Sequence, residues 1–252
     1  NIRPLCTRLF EATRAAGLDV ELILVDDDSG QGTIDTCRIV DQLKRAGYNI
    51  RVRVREKREG KGLSSAVLLG LRIARHAVLL VMDADLQHEP ESVPAVASPV
   101  LTGKAEFSVG SRNVTGGQVA DGWPLVRRVI SQGATLLAQP LTSCTDPMSG
   151  FFCLSRRALE RAEGAGLNPM GYKIGLELMV RSGCTTVTEV GITFRDREHG
   201  QSKLTMKQNL LYLKHLMHLY AFAYPFMSAL LACLVLTVIL GIAYAIFSMA
   251  QR

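Results

Sequence analysis

Residues 79 to 90 read Leu-Leu-Val-Met-Asp-Ala-Asp-Leu-Gln-His-Glu-Pro, an apolar run that ends on two carboxylates one residue apart. This pattern predicts a buried strand that delivers Asp83 and Asp85 to its carboxyl end. Mg²⁺ and Mn²⁺ prefer carboxylate oxygens and complete their coordination with phosphate oxygens and water, so the pattern is typical of a cation held against a diphosphate. Gln87 continues the spacing with a neutral oxygen, which makes Asp83, Asp85 and Gln87 the candidate metal ligands. The alternative is that both aspartates cap the helix suggested by Glu89-Pro90-Glu91.

The rest of the chain alternates between strand and helix patterns. Strands are predicted over residues 20 to 26, 50 to 54, 77 to 82, 105 to 110 and 186 to 192. Apolar residues at helical spacing predict helices over residues 33 to 46, 62 to 75 and 124 to 139. The alternation indicates an α/β fold with a mostly parallel sheet flanked by helices, and such sheets bind ligands at the carboxyl ends of their strands.

A second acidic cluster, Asp26-Asp27-Asp28-Ser29-Gly30, follows the first clear strand. Carboxylates of Asp26 and Asp27 at that position could accept hydrogen bonds from a base or a ribose. A capped turn between strand and helix explains the same pattern.

A basic loop, Arg55-Glu56-Lys57-Arg58-Glu59-Gly60-Lys61-Gly62, precedes the next predicted helix. The free amides at the start of a helix favour anions, so Lys61 is a candidate substrate-binding residue. The alternative is a solvated run of charges.

The C-terminal segment predicts an association with a lipid bilayer. Residues 221 to 250 contain no charged side chain, which is long enough for one transmembrane helix, although a buried core helix is the alternative. Residues 201 to 220 mix leucine and methionine with lysine and histidine, which favours either an interfacial amphipathic helix or a helix packed on the domain. Three lysines precede the span and only Arg252 follows it, so residues 1 to 200 are expected to face the cytosol.

The charge and cysteine content of the chain indicate which kinds of ligand and cellular compartment suit the protein. The formal net charge of +6 is consistent with phosphate-bearing ligands or an anionic membrane. No basic motif interleaved with aromatic residues supports nucleic-acid binding. The six cysteines form no Cys-x-x-Cys pair, so free thiols in a reducing compartment are expected.

Together these pieces resemble the dolichol-phosphate mannosyltransferases, which are inverting glycosyltransferases of the GT-A (Rossmann-like) fold. The resemblance covers about residues 20 to 210, and its pieces occur in the order that the family shows. They are Val25-Asp26-Asp27-Asp28-Ser29, Gly32-Thr33, Arg55-Glu56-Lys57, Gly60-Lys61-Gly62-Leu63, Met82 to Pro90, Gly110-Ser111-Arg112, Arg127 with Ser131, Asp146 to Phe151, Glu177, and Asp196 to Lys203.

The resemblance implies transfer of mannose from GDP-mannose to dolichyl phosphate at the cytosolic face of the endoplasmic reticulum, with no obligate protein partner. The product would donate mannose for protein glycosylation and GPI anchors. The resemblance implies that Asp83, Asp85 and Gln87 hold Mg²⁺ or Mn²⁺, and that Asp26 and Asp27 contact the nucleoside. Further implied roles are an acceptor-phosphate pocket of Arg112, Arg127, Arg197 and Lys203 with Ser131, and weaker sugar contacts by Asp146 and Glu177, each of which could equally be a cap or a salt-bridge partner.

Two departures from the family pattern matter. The family's first strand, with its Pro-x-Tyr-x-Glu motif, is missing, so a strand beside residues 20 to 26 is expected to be absent. Asp28 stands where glycine is common, and Gln31 where aspartate is common. A polyprenyl-phosphate glucosyltransferase that uses UDP-glucose is the alternative enzyme, and a tail-anchored adaptor that binds Ca²⁺ and lipids is the non-enzymatic alternative.

Overall fold

The computed structural model describes residues 1–28, 30–56, 62–119, 125–184, 186–195, 206–231, 233–234, 237–238 and 240. The helices are α1 (Ile2–Ala15), α2 (Gln31–Arg45), α3 (Leu63–Ile73), α4 (Val93–Leu101), α5 (Leu125–Ala138), α6 (Arg156–Gly164), α7 (Ile174–Arg181) and α8 (Met206–Ala223). The strands are β1 (Leu22–Asp26), β2 (Ile50–Val54), β3 (Val78–Val81), β4 (Phe107–Ser111), β5 (Gln118–Val119), β6 (Phe152–Ser155), β7 (Val187–Gly191) and β8 (Thr193–Phe194). Every strand and helix predicted by spacing is confirmed, with ends within two residues of the predicted ones.

The strands form mixed sheets, which corrects the expectation of a single, mostly parallel one. β1 and β2 pair in parallel, and a separate four-stranded sheet has the order β3-β6-β4-β7. β6 runs antiparallel to both of its neighbours, while β4 and β7 are parallel. β6 is a short apolar run buried on both faces, and such a run carries no signal of its direction in the sequence.

One edge of β1 has no partner strand in the described part of the chain. β1 pairs with β2 alone, and β3 pairs with β6 alone. The apolar side chains of β1 are correspondingly only partly buried, whereas every residue of β4 is buried.

The core lies on both faces of the sheets, as strand geometry requires. Successive residues of β3 alternate, so that Leu79 packs with helices α3, α6 and α7 while Leu80 packs with α1, α2 and α4. β6 repeats this division with Phe152 and Cys153. Since the helices cover both faces, polar ligands can reach the sheets only at the ends of the strands.

The last helix packs on the domain. The buried side of α8 carries Tyr212, His215, Leu216 and Leu219, which lie one helical turn apart and contact α5 and α7. Residues 225 to 231 are also helical. Among the described residues, no helix has both the length and the apolar character needed to cross a bilayer. Of the span predicted over residues 221 to 250, the structure describes 221–231, 233–234, 237–238 and 240, and the other residues lie outside the described part.

Candidate active site

The turn after β3 carries the two predicted carboxylate ligands. β3 ends at Val81, so Asp83 and Asp85 lie on an irregular segment and are both partly exposed. The Asp85 Oδ1 accepts the backbone N–H of Gln87 at 3.2 Å, and the intervening Leu86 has a left-handed backbone with φ of 64°. A bulky residue adopts this conformation only where surrounding contacts impose it, so the fold fixes this reversal of the chain.

The side chain of Gln87 contacts the segment after β8. Its Nε2 donates to the backbone oxygen of Arg195 at 3.1 Å, and the Gln87 carbonyl accepts the N–H of Arg195 at 2.8 Å. The next residue, His88, forms an isolated antiparallel bridge with Phe194. The backbone of Arg195 thus holds the Gln87 side-chain amide in place. The role of Gln87 as a metal ligand stays a prediction.

The surroundings of Asp83 fit a cation site. A Cβ atom on residue 150 would lie 2.9 Å from the Asp83 Oδ2, so Gly150 leaves the space that this carboxylate needs. Within the described ranges, no three His, Cys, Asp or Glu side chains gather into a group that could hold a metal ion. Two carboxylates suit a cation that also takes oxygens from a diphosphate and from water, which is how Mg²⁺ usually binds with a nucleotide. The donor set therefore fits a cation that binds together with a nucleotide.

Arg112 and Asp146 form a buried, bidentate ion pair. The Arg112 Nε and Nη2 donate to the two Asp146 carboxylate oxygens at 2.8 and 2.7 Å, and the Arg112 backbone N–H donates at 3.0 Å. Asp146 is fully buried, and the Arg112 side chain is 12% exposed. Burial acts to raise the pKa of Asp146, but the hydrogen bonds and charge of Arg112 outweigh it and hold the pKa below its ordinary value. The sequence analysis predicted that Arg112 binds the acceptor phosphate and that Asp146 contacts the sugar or forms a salt bridge. In the structure the two residues pair with each other, which is the salt-bridge alternative for Asp146.

A cleft of about 700 Å³ opens beside this pair. It is lined by Arg112, Asn113, Val119, Arg128, Ser131, Gln132, Thr135, Leu136 and Gln139. The structure thus brings the predicted Arg112 and Ser131 together at one surface. The second arginine there is Arg128, which the sequence analysis missed, although its spacing of three residues from Ser131 places both on one face of α5. Arginine and hydroxyl donors at one wall suit a phosphate group.

Two further titratable residues of this region were missed by the sequence analysis. The Lys173 Nζ donates to the backbone oxygen of Met148 at 2.8 Å. Burial and the charge of Arg112 lower the pKa of Lys173 to about 8, against the attraction of Asp146 and Asp83. His88 is buried between aromatic rings, and this burial, opposed by the charge of Asp85, lowers its pKa to about 4. Lys173 therefore brings positive charge close to the carboxylates, while His88 is neutral near pH 7.

The first acidic cluster has structural contacts. The Asp26 Oδ1 accepts the Thr33 hydroxyl at 2.5 Å and the N–H of Asp28 at 2.8 Å. Asp27 accepts the buried Arg55 guanidinium and, at 3.0 Å, the N–H of Gly62. Asp28 has φ of 55°, which explains why glycine suits this position. These contacts favour the turn interpretation, and the nucleoside contacts of Asp26 and Asp27 stay predictions.

Glu177 lies in the core and contacts the last helix. One carboxylate oxygen accepts the Asn168 N–H at 2.9 Å and the Arg181 guanidinium, and the other bonds to His215 on α8. Burial acts to raise the pKa of Glu177, but His215, Asn168 and Arg181 together keep it below its ordinary value. The structure thus favours the salt-bridge alternative for Glu177 over contact with a sugar.

The remaining predicted site residues cannot be placed. Lys61, Arg197 and Lys203 lie outside the described residues, as does the side chain of Arg127, of which only the helical backbone is described. Their roles stay predictions.

Residues 1–162 match the family described as "Glycosyl transferase family 2". The chain therefore belongs to glycosyltransferase family 2. Its relatives within the family include proteins named dolichol-phosphate mannosyltransferase. That of Mycosarcoma maydis is 42% identical over 94% of this chain and 81% of its own length, and that of Saccharomyces cerevisiae is 42% identical over 89% and 84%. That of Pyrococcus furiosus is 38% identical over 87% of this chain and 60% of its own length.

Solved structures of lower identity show the same fold. The glucosyl-3-phosphoglycerate synthase from Mycobacterium tuberculosis, solved with Mn²⁺, UDP-glucose and phosphoglyceric acid, has a TM-score of 0.56 at 18% identity over 88% of this chain and 76% of its own. The mannosyl-3-phosphoglycerate synthase from Rubrobacter xylanophilus has a TM-score of 0.58 at 17% identity over 87% and 69%. This chain therefore has the GT-A glycosyltransferase fold that the sequence predicts, built on mixed sheets.

Proposed function

We propose that this protein transfers mannose from GDP-mannose to dolichyl phosphate with inversion, which forms dolichyl β-D-mannosyl phosphate. Relatives that carry the name of this activity match most of the chain at 38–42% identity. The observation that carries the proposal is the cleft beside Arg112, where cationic and hydroxyl donors lie on a helix with exposed apolar side chains. Such a cleft suits an acceptor with a phosphate head and a hydrocarbon tail.

The acceptor phosphate would bind against α5. Arg128 and Ser131 offer donors from the helix, and Arg112, already oriented by Asp146, lines the same cleft. A phosphate monoester is mostly dianionic near neutral pH, so the attacking oxygen needs correct placement more than it needs a general base. The fixed geometry of the ion pair serves that placement. Arg127, Arg197 and Lys203 are proposed to complete the pocket.

The reaction exchanges one bond at the anomeric carbon for another. An oxygen of the acceptor phosphate attacks C1 of mannose on the face opposite GDP, and the bond between C1 and the GDP oxygen breaks with its electron pair leaving on GDP. Asp83 and Asp85, with Gln87, would hold Mg²⁺ or Mn²⁺, which when bound neutralises charge on the departing diphosphate. Asp26, Asp27 and Lys61 are proposed to hold the nucleotide.

Exposed apolar side chains lie on α5, which lines the cleft, and on α8. These residues are 41–73% exposed: Val129, Ile130, Leu136, Leu137, Leu210, Leu213, Met217 and Phe222. A surface of this kind suits contact with lipid. We place it at the cytosolic face of the endoplasmic reticulum membrane, with the uncharged segment of residues 221 to 250 as a single C-terminal anchor and the product serving protein glycosylation and GPI-anchor synthesis.

The proposal is tested by following labelled sugar into the lipid phase. Protein in detergent with dolichyl phosphate and Mg²⁺ or Mn²⁺ is expected to transfer label from GDP-mannose and not from UDP-glucose. Label from UDP-glucose alone would show a glucosyltransferase instead. No transfer from either donor would contradict both activities.

Gly150→Ala tests the placement of Asp83. The added methyl group would lie 2.9 Å from the carboxylate, which can swing away, so the change should displace Asp83 and leave the core intact. We expect transfer to fall by about tenfold to a hundredfold, because small displacements of reacting groups have effects of that size. The melting temperature should change little.

Gly164→Ala is the matched control, because nothing lies within 4 Å of the position of its added methyl group. It should transfer at the parent rate. Parent activity in Gly150→Ala, together with unchanged dependence on metal concentration, would show that Asp83 is not placed as proposed.

A further inference from the structure

A buried acid–base pair joins α8 to the rest of the domain. Glu177 on α7 is fully buried, and His215 on α8 is 1% exposed. The His215 Nε2 bonds to one Glu177 oxygen, and Arg181 and the Asn168 N–H bond to the other. Charged and polar groups are costly to bury unless they are paired in good geometry, so a shift of α8 that breaks this contact would leave buried polar groups unpaired.

The same helix packs on the loop that carries Asp146. The Met148 side chain lies in one buried cluster with Tyr212, Leu216 and Leu219 of α8. The Met148 carbonyl also accepts the Lys173 Nζ at 2.8 Å. Met148 is two residues from Asp146 and two from Gly150. The position of α8 therefore affects the positions of both Asp146 and Gly150.

Three tyrosines, on α8 and just after its end, donate hydrogen bonds to α5 and to the turn that follows α5. Tyr212 donates to the carbonyl of Ala134 at 2.6 Å, and Tyr220 donates to that of Leu137 at 2.8 Å. Tyr224 donates to the carbonyl of Pro140, in the 3₁₀ turn Gln139–Leu141 after α5. The last four carbonyls of a helix have no partner within it, and the Tyr220 hydroxyl satisfies one of them, that of Leu137. Hydrogen bonds from α8 thus hold α5, the helix that carries Ser131, in place.

We infer that His215 is a positioning residue for the proposed transfer. Its bond to Glu177 fixes the position of α8. In that position α8 contacts both Met148, on the loop that carries Asp146, and α5, so it sets the position of the loop relative to α5. The inference rests on the proposed function. It means that α8 affects the chemistry of the site even when no membrane is present.

The test separates positioning from membrane contact by the choice of acceptor. His215→Leu and His215→Gln are assayed with citronellyl phosphate, a short water-soluble acceptor, and with dolichyl phosphate in phosphatidylcholine vesicles. We expect His215→Leu to lower kcat about tenfold or more with both acceptors, with KM for GDP-mannose within about twofold of the parent. His215→Gln should retain kcat within about threefold, because its amide can donate to Glu177.

His218→Leu is the matched control, since His218 lies exposed on the same helix. It should match the parent with citronellyl phosphate. Parent kcat in folded His215→Leu with the soluble acceptor, or a loss seen only with vesicles, would overturn the inference. An equal loss in His218→Leu would overturn it as well.

Removal of tyrosine hydroxyls gives a second route if His215→Leu does not fold. Tyr212→Phe combined with Tyr220→Phe removes two bonds to α5 without opening a cavity, and kcat should fall about threefold to tenfold. Parent kcat in this double variant would overturn the inference. An inactive parent protein would instead contradict the proposed function, so the two failures are distinguishable.

Discussion

Asp85→Asn is expected to reduce mannose transfer by about a thousandfold, because a metal ion contributes several kcal/mol to stabilising a departing diphosphate. The Asp85 Oδ1 accepts the N–H of Gln87, and an amide oxygen can accept the same bond. The change therefore preserves the turn after β3 and removes the negative charge alone. Asp85→Ala removes both and should be at least as inactive.

Two measurements test this prediction. The first is the transfer rate over a range of Mn²⁺ concentrations, and the second is calorimetric binding of GDP with and without Mn²⁺. The variant should lose the increase in GDP affinity that metal brings. Asp41→Asn is the control, because Asp41 is exposed on α2 and is not among the predicted site residues. Full metal-dependent transfer by Asp85→Asn would exclude Asp85 from metal binding.

Local patterns in the sequence predicted the parts of the site that depend on local structure. β3 ends at Val81, one residue before its apolar run ends at Met82, and Asp83 and Asp85 lie on the segment that follows. The helix over residues 125 to 138 follows from its spacing, and with it the position of Ser131 on a wall of the cleft. Strand ends and helix faces follow from periodicity, which a single sequence contains.

Contacts between distant residues could not be predicted in this way. Arg112 and Asp146 are 34 residues apart, and Glu177 and His215 are 38 apart. Each pair depends on which strands are neighbours, and the antiparallel β6 between β3 and β4 was not predicted. A buried carboxylate and a ligand-binding carboxylate look the same in sequence, so the structure was needed to show that Glu177 and Asp146 each pair with cations of the protein.

Asp146→Ala is expected to destabilise the protein by about 3 kcal/mol or more, because it leaves Arg112 largely buried without its counterion. Urea unfolding followed by circular dichroism measures this as a lower midpoint. Asp35→Ala is the control, since its pair with Arg38 has both side chains about half exposed or more, and an exposed pair contributes less than about 1 kcal/mol.

The pH dependence identifies the charge as the cause. The pKa of Asp146 is held below its ordinary value in the folded protein, so its contribution to stability is present above the pKa of the unfolded chain. That contribution is lost as the pH falls through the folded pKa. The difference in stability between the parent and Asp146→Asn should therefore be largest near neutral pH and shrink on acidification. A difference that stays constant down to acid unfolding would contradict this assignment.

A double variant separates the two roles of the pair. Arg112→Leu combined with Asp146→Leu removes both charges together, and replacement of a buried pair by apolar side chains is often neutral for stability. The double variant should therefore recover much of the stability lost in Asp146→Ala. It should not recover transfer, because Arg112 lines the cleft where the acceptor phosphate is proposed to bind. Recovery of both would mean that the pair serves folding alone, and that the cationic wall of the acceptor site is formed by Arg128 and other residues.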